Sequence, residues 1–209
     1  SNKNSFKAAV LVGLNKPLKI ISIKFPSALK QGQVLVKLKR AAICGAQINE
    51  IKGVKGADKY IPHMMGHEGY GQVIAVGAKV KRVKLNNKVV MHWRKASGID
   101  AENARYESEI GKINSGKITT FSEYSIVSEN RLTKVNFNKK INKIEPLFGS
   151  AIPTAYGVVK NEAKIKKKDN VLIFGAGGLG LAISTMSKYF GVSNITFIDK
   201  KFIKEKKIT

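Results

Sequence analysis

Val171–Leu172–Ile173–Phe174–Gly175–Ala176–Gly177–Gly178–Leu179–Gly180 decides how the C-terminal part of this sequence is read. A short apolar run with the look of a buried strand leads straight into G-x-G-x-x-G. Leu179–Phe190 follows as an amphipathic helix, and Asn194–Ile198 is a second apolar strand ending at Asp199. Strand, helix, strand is a βαβ unit, which implies a parallel sheet. In that context the glycines have separable tasks. Gly175 allows the tight turn, Gly177 lets backbone approach a pyrophosphate, and Gly180 permits close packing of helix on strand. Gly178 and Leu179 open the helix, whose free N–H groups favour phosphate oxygens. Asp199, 19 residues beyond Gly180, is placed to accept hydrogen bonds from ribose hydroxyls. Its carboxylate would repel a 2′-phosphate, so NAD is expected rather than NADP, with Lys200 and Lys201 as the counterweight.

Upstream the pattern changes. Residues 6–12, 18–25, 33–43, 72–76, 88–93, 121–127 and 131–135 read as short strands punctuated by glycine and turn residues. Residues 94–120 are polar and irregular, and read as a loop or small lobe. Pro146–Lys160 reads as a helix. The boundary between the two parts is drawn between residues 145 and 146.

A second dense motif lies in the strand-rich part. Gly66–His67–Glu68 is followed by spaced glycines at Gly71 and Gly77, and Cys44–Gly45 stands 23 residues before His67. Thiolate, imidazole and carboxylate are all zinc ligands, and a catalytic zinc keeps one position open for water or substrate. His63, four residues before His67, is expected to pack near the same place.

The two motifs together resemble the zinc-containing alcohol dehydrogenases of the medium-chain dehydrogenase/reductase superfamily. The resemblance is carried by Ala41–Ala42–Ile43–Cys44–Gly45, Gly66–His67–Glu68, Pro153–Thr154–Ala155–Tyr156–Gly157 and Gly175–Gly180 with Asp199. It implies an α/β protein: a GroES-like β-barrel catalytic domain over 1–145, then the first part of a Rossmann doubly wound parallel sheet over 146–209. It implies Cys44, His67 and Glu68 as catalytic residues and zinc ligands, and Thr154 against the nicotinamide. The implied reaction is hydride transfer between an alcohol, of polyol or sugar-derived type, and NAD. The alternative within the superfamily is a zinc-free reductase with Cys44 a bystander.

Three positions depart from that family. The hydroxyl residue expected two after the cysteine is Ala46, and the histidine expected three further on is Asn49. Ser150 stands where a further cysteine ligand is common. Glu145, in a Glu-Pro-Leu run like that of the polyol dehydrogenases, is therefore expected to serve as the fourth metal ligand, with water as the alternative. One cysteine excludes both an internal disulfide and the family's four-cysteine structural zinc, so one catalytic zinc is expected.

Composition bounds the rest. Of 209 residues, 43% are hydrophobic and 25% charged, which is ordinary for a globular protein. No apolar run reaches the roughly 18 residues that span a bilayer. Ser1–Lys7 leads directly into a strand-like run rather than a leader. With the lone cysteine, these features predict a cytoplasmic protein with no membrane partner. The net charge of +24 comes from 33 Lys and only 5 Arg, scattered from Lys3 to Lys207 and densest at Lys164–Lys168 and Lys200–Lys207. Arginine is the residue of bidentate phosphate and base recognition, so a lysine-coated surface is expected and specific nucleic-acid binding is not. From Val171 only 39 residues remain, too few for the six strands of a doubly wound sheet. The sequence therefore reads as part of a longer parent, expected to be a homodimer or homotetramer, and the piece alone is expected to turn over little alcohol.

Overall fold

The computed structural model describes residues 4–137, 141 and 143–201. Lys3, Lys204, Lys206 and Lys207 of the lysine runs lie outside the described residues. The chain divides into two compact units, one running to Gly149 and the other starting at Ser150.

In the first unit the elements are β1 (Ser5–Leu11), β2 (Lys19–Lys24), β3 (Gln33–Ala41), α1 (Gly45–Ile51), β4 (His63–Met64), β5 (Glu68–Val76), β6 (Lys88–His92), β7 (Arg105–Ser108), β8 (Gly111–Asn114), β9 (Tyr124–Ser128) and β10 (Leu132–Lys134). Strands β1, β2, β7, β8 and β4, in that order, close into a barrel. Alternation explains it. Phe6, Ala8 and Val10 of β1 and Ile21 and Ile23 of β2 point inward, while Lys7, Lys19 and Lys24 face water. Tyr106 and Ile113 fill the same core. Each fully buried aliphatic or aromatic side chain contributes roughly 1.5–3 kcal/mol.

The segment 94–120, expected to be irregular, contains the β7–β8 hairpin that completes this barrel. Its polar composition hides the strands because each short strand buries a single large side chain, Tyr106 or Ile113, and leaves the rest exposed or half-buried. The buried Tyr106 hydroxyl accepts a hydrogen bond from the Ile126 N–H at 3.0 Å. Burial pushes its pKa up, so it stays a neutral phenol.

A five-stranded antiparallel sheet in the order β10–β6–β5–β3–β9 carries the second core, built on Val34, Val36, Val73, Val89 and Met91. Its β3–β5 pair sets the later geometry, with Ala41 opposite Gly69 and Arg40 opposite Tyr70. The single helix expected over 146–160 is two segments. A 3-10 turn, Glu145–Gly149, ends the first unit.

In the second unit, α2 (Ala151–Gly157) continues as a π-type turn over Val158–Glu162. Pro153 is tolerated there because it stands in the first helical turn, where its missing N–H has no partner to lose. Strands β11 (Asn170–Phe174) and β12 (Asn194–Ile198) pair in parallel, joined through α3 (Gly178–Tyr189). The helix packs tightly on its own entry turn. A Cβ on Gly180 would lie 2.0 Å from the Gly175 carbonyl oxygen, so only glycine fits.

Candidate metal centre and nucleotide loop

The metal group is assembled by the β3–β5 pairing. β3 ends at Ala41, and Cys44 follows as the N-cap of α1. Across the ladder the chain turns at Gly66, whose φ of +95° suits glycine and where a Cβ would meet the Thr120 hydroxyl at 2.3 Å. That turn presents His67 and then Glu68, the first residue of β5. Because Ala41 pairs with Gly69, the residues just beyond each strand end face one another. The Cys44 thiol, a His67 ring nitrogen and a Glu68 carboxylate oxygen all lie within 4.8 Å of one another. Glu68 is buried, and Cys44 and His67 are half-buried. Behind Glu68 the backbone of Gly149 comes so close that a Cβ there would sit 2.3 Å from the Met91 carbonyl oxygen. Burial lowers the pKa of His67 and favours its neutral ring. A thiolate, a neutral imidazole and a carboxylate suit zinc by donor type and number.

Glu145 does not join this group. Its Oε1 accepts from Arg40 Nη1 at 2.9 Å, and its Oε2 is buried without a hydrogen-bond partner among the described residues. Arg40 reaches it because the 3-10 turn packs against the five-stranded sheet, so one oxygen of the carboxylate expected, with water as the alternative, to be the fourth ligand is held by a guanidinium. Ser150 and Thr154 belong to the second unit, with Thr154 exposed on α2.

Two features were not foreseen. Gln47, in the first turn of α1, is buried and touches both Cys44 and His67. Its Oε1 accepts from the Cys44 N–H at 2.8 Å, and its side-chain nitrogen donates to His67 Nδ1. The signal was the spacing Cys44-x-x-Gln47, a helix-capping pattern, but no helix was expected at 45–51. The second feature is a group formed by Glu50, Asp58 and His63. His63 Nδ1 donates to the Met64 carbonyl at 2.9 Å, and its Nε2 lies 2.9 Å from Asp58 Oδ2 and 3.8 Å from Glu50 Oε1. Burial opposes the charge on Asp58, but bonds from the Tyr60 N–H and His63 outweigh it and hold the carboxyl below its ordinary value. Burial raises Glu50. These three residues line a cavity of about 420 Å³ together with Gln47, His67 and Ser115. Among the described residues no Lys or Arg lines it, which is notable in a chain of this charge.

In the second unit, Gly175 has a φ of +96°. A Cβ on Gly177 or Gly178 would meet nothing within 4 Å, so this surface of the loop is open for a phosphate. Asp199 Oδ2 accepts from the Ala176 N–H at 2.7 Å and Oδ1 from the Lys201 N–H at 2.9 Å. These bonds hold its carboxyl below the ordinary range. An open glycine face at a helix N-terminus, with a carboxylate closing the next strand, fits a dinucleotide.

The alcohol dehydrogenase GroES-like domain family matches residues 30–137. The chain belongs to this family. It is 28% identical over 218 aligned positions to an S-(hydroxymethyl)glutathione dehydrogenase of Photobacterium damsela subsp. piscicida, covering 92% of this chain and 58% of the relative. The Escherichia coli O6:H1 enzyme of the same name is 30% identical, with 94% and 60% covered. Benzyl alcohol dehydrogenase from Acinetobacter calcoaceticus superposes with a TM-score of 0.77 at 22% identity, over 93% of this chain and 58% of that one. Acetophenone reductase from Geotrichum candidum, solved in complex with NAD, gives 0.75 at 22%, over 96% and 60%. This alcohol dehydrogenase-family chain thus spans about 58% of the length of the first of these curated relatives. Among the described residues, no helix is long and apolar enough to cross a membrane.

Proposed function

We propose that the protein is a zinc-dependent dehydrogenase that moves a hydride between an alcohol and NAD. The observation that carries this reading is the convergence of Cys44, His67 and Glu68 within 4.8 Å. Zinc held by these three would supply a Lewis acid toward a substrate oxygen, and NAD would supply the hydride acceptor. The chain's own residues do the rest. The glycine loop from Gly175 to Gly180 receives the pyrophosphate, with Gly177, Gly178 and Leu179 offering backbone to it. Asp199 accepts from the ribose hydroxyls and disfavours a 2′-phosphate. Thr154 is proposed to lie against the nicotinamide.

The cavity bears on substrate choice. Its polar lining, with Glu50 and Asp58 and, among the described residues, no Lys or Arg, suits a neutral polyol or sugar-derived alcohol. A glutathione adduct, the substrate class named for the relatives, carries carboxylates of its own and would meet like charge there. The alcohol proton has no hydroxyl at Ala46 to pass through. On the wall of the same cavity His63 Nε2–H donates to the Asp58 carboxylate, so the acceptor this wall offers is Asp58.

Metal analysis of the purified protein tests the reading. About one zinc per chain, lost in Cys44→Ala, is expected for a catalytic site of this type. Activity with NAD and no bound metal would favour the zinc-free reductase instead. A screen of the longer protein against polyols, sugar alcohols and S-hydroxymethyl thiols tests substrate class, with the first two expected to be turned over. We further propose a cytoplasmic setting, no membrane or nucleic-acid partner, and a homodimeric or homotetrameric parent.

A further inference from the structure

We propose that Gln47 is a positioning residue that holds metal-free His67 in the wrong tautomer for ligation through Nε2, so that metal entry requires its side-chain amide to reverse. This rests on the reading of Cys44, His67 and Glu68 as metal ligands. The amide is oriented from its oxygen end. The Cys44 N–H can only donate, so Gln47 Oε1 faces it at 2.8 Å. The amide nitrogen is then left facing His67 Nδ1. That nitrogen can only donate, so Nδ1 must accept. In a neutral ring the single proton therefore sits on Nε2. Gln47 is only 2% exposed, so water does not easily replace either bond.

A metal-bound imidazole has the opposite requirement. The ligating nitrogen gives up its proton, and the other ring nitrogen donates N–H to an acceptor. With metal on Nε2, Nδ1–H would point at the donor end of Gln47. With metal on Nδ1, the metal would take the place of the Gln47 bond. For ligation through Nε2, the amide turns and places Oε1 on Nδ1–H. The Cys44 N–H must then share that oxygen or lose its acceptor at the start of α1. One side chain thus links the loading of the metal to the first turn of the helix. A carboxylate at this position would accept from both N–H groups at once and need no reversal.

The test uses Gln47→Glu and cobalt(II) alone as the probe, added to the metal-free protein and read by the thiolate-to-cobalt absorption band. Outer partners of ligating histidines commonly change metal affinity about 10–100-fold, so the variant should bind cobalt about tenfold or more tightly than wild type. Nitrogen-15 spectra of the imidazole rings, simple to assign with three histidines, give a second readout that a merely structural role would not move. Metal-free wild type should carry the His67 proton on Nε2, and Gln47→Glu should carry it on Nδ1. Equal cobalt affinities, or a wild-type proton on Nδ1, would overturn the role of Gln47 and leave the metal centre standing. Wild type that binds no cobalt would overturn the metal reading and this inference with it. Should Gln47→Glu not fold, the wild-type tautomer alone decides.

Discussion

The two units build their sites in opposite ways. In the first unit, side chains from separate segments are brought together by strand pairing: Cys44 beyond β3, His67 and Glu68 at the start of β5. In the second unit, one continuous stretch from β11 through α3 to β12 presents backbone, and Asp199, the side chain proposed to meet the ribose, bonds back onto the same loop. A side-chain site is lost when an atom is removed. A backbone site is lost when an atom is added.

The sharpest way to break that contrast is deletion in the first unit. Cys44→Ala should take zinc content from about one per chain to near zero while the fold survives, measured by metal analysis beside circular dichroism. Arg40→Met should follow in size. It leaves the Glu145 carboxylate buried without its cation, and breaking a buried pair typically costs about 3–5 kcal/mol. Since the Arg40 side chain is 37% exposed, screening reduces this to about 2 kcal/mol, read by denaturant unfolding. If Glu145 instead ligated the metal, bound zinc would fall on Glu145→Gln, and it should not.

Addition tests the second unit. Gly180→Ala places a methyl 2.0 Å from the Gly175 carbonyl and should cost about 1–3 kcal/mol. At Gly177 the Cβ of Gly177→Thr would meet nothing within 4 Å among the described residues. Its backbone is already extended, with φ −75° and ψ −174°, and threonine is an adequate N-cap. It should melt like wild type and bind NAD more weakly by calorimetry. Equal losses of stability in the two variants would erase the distinction.

The smallest effect is electrostatic. The folded-state pKa of Asp58 lies below its ordinary 3.8. Its contribution is therefore complete above that value and is lost as pH falls through the folded value. Asp58→Asn should flatten the acid limb of the stability curve by a few tenths of a kcal/mol, as expected for a partly exposed group.

What sequence made legible follows the same division. The glycine loop was read from its spacing together with the strand before it, the helix it opens and Asp199, all of which lie within one βαβ unit. Cys44 and Gly66–His67–Glu68 were singled out as candidate ligands because ligand chemistry restricts residue type, and the fold brings the three side chains together. Gln47, Arg40 and Asp58 were missed because their roles arise only after folding. Gln47 looks like any polar helix residue, and Arg40 is one cation among many until β3 sets it beside Glu145. The β7–β8 hairpin was missed because a barrel strand with one buried side chain leaves almost no periodic pattern to read.

The β3–β5 ladder also bears on how the chain folds. Cys44 and His67 are 23 residues apart, whereas closing the barrel brings Val10 onto Met64. The metal group thus belongs to the more local of the two contacts, and local contacts form with less loss of chain entropy. An ion captured by the unfolded chain would clip this pair of strands in register before the barrel has closed. Refolding by dilution with zinc present from the start should then be faster than with zinc added afterwards. Equal rates would mean that the ion arrives only after the fold is complete.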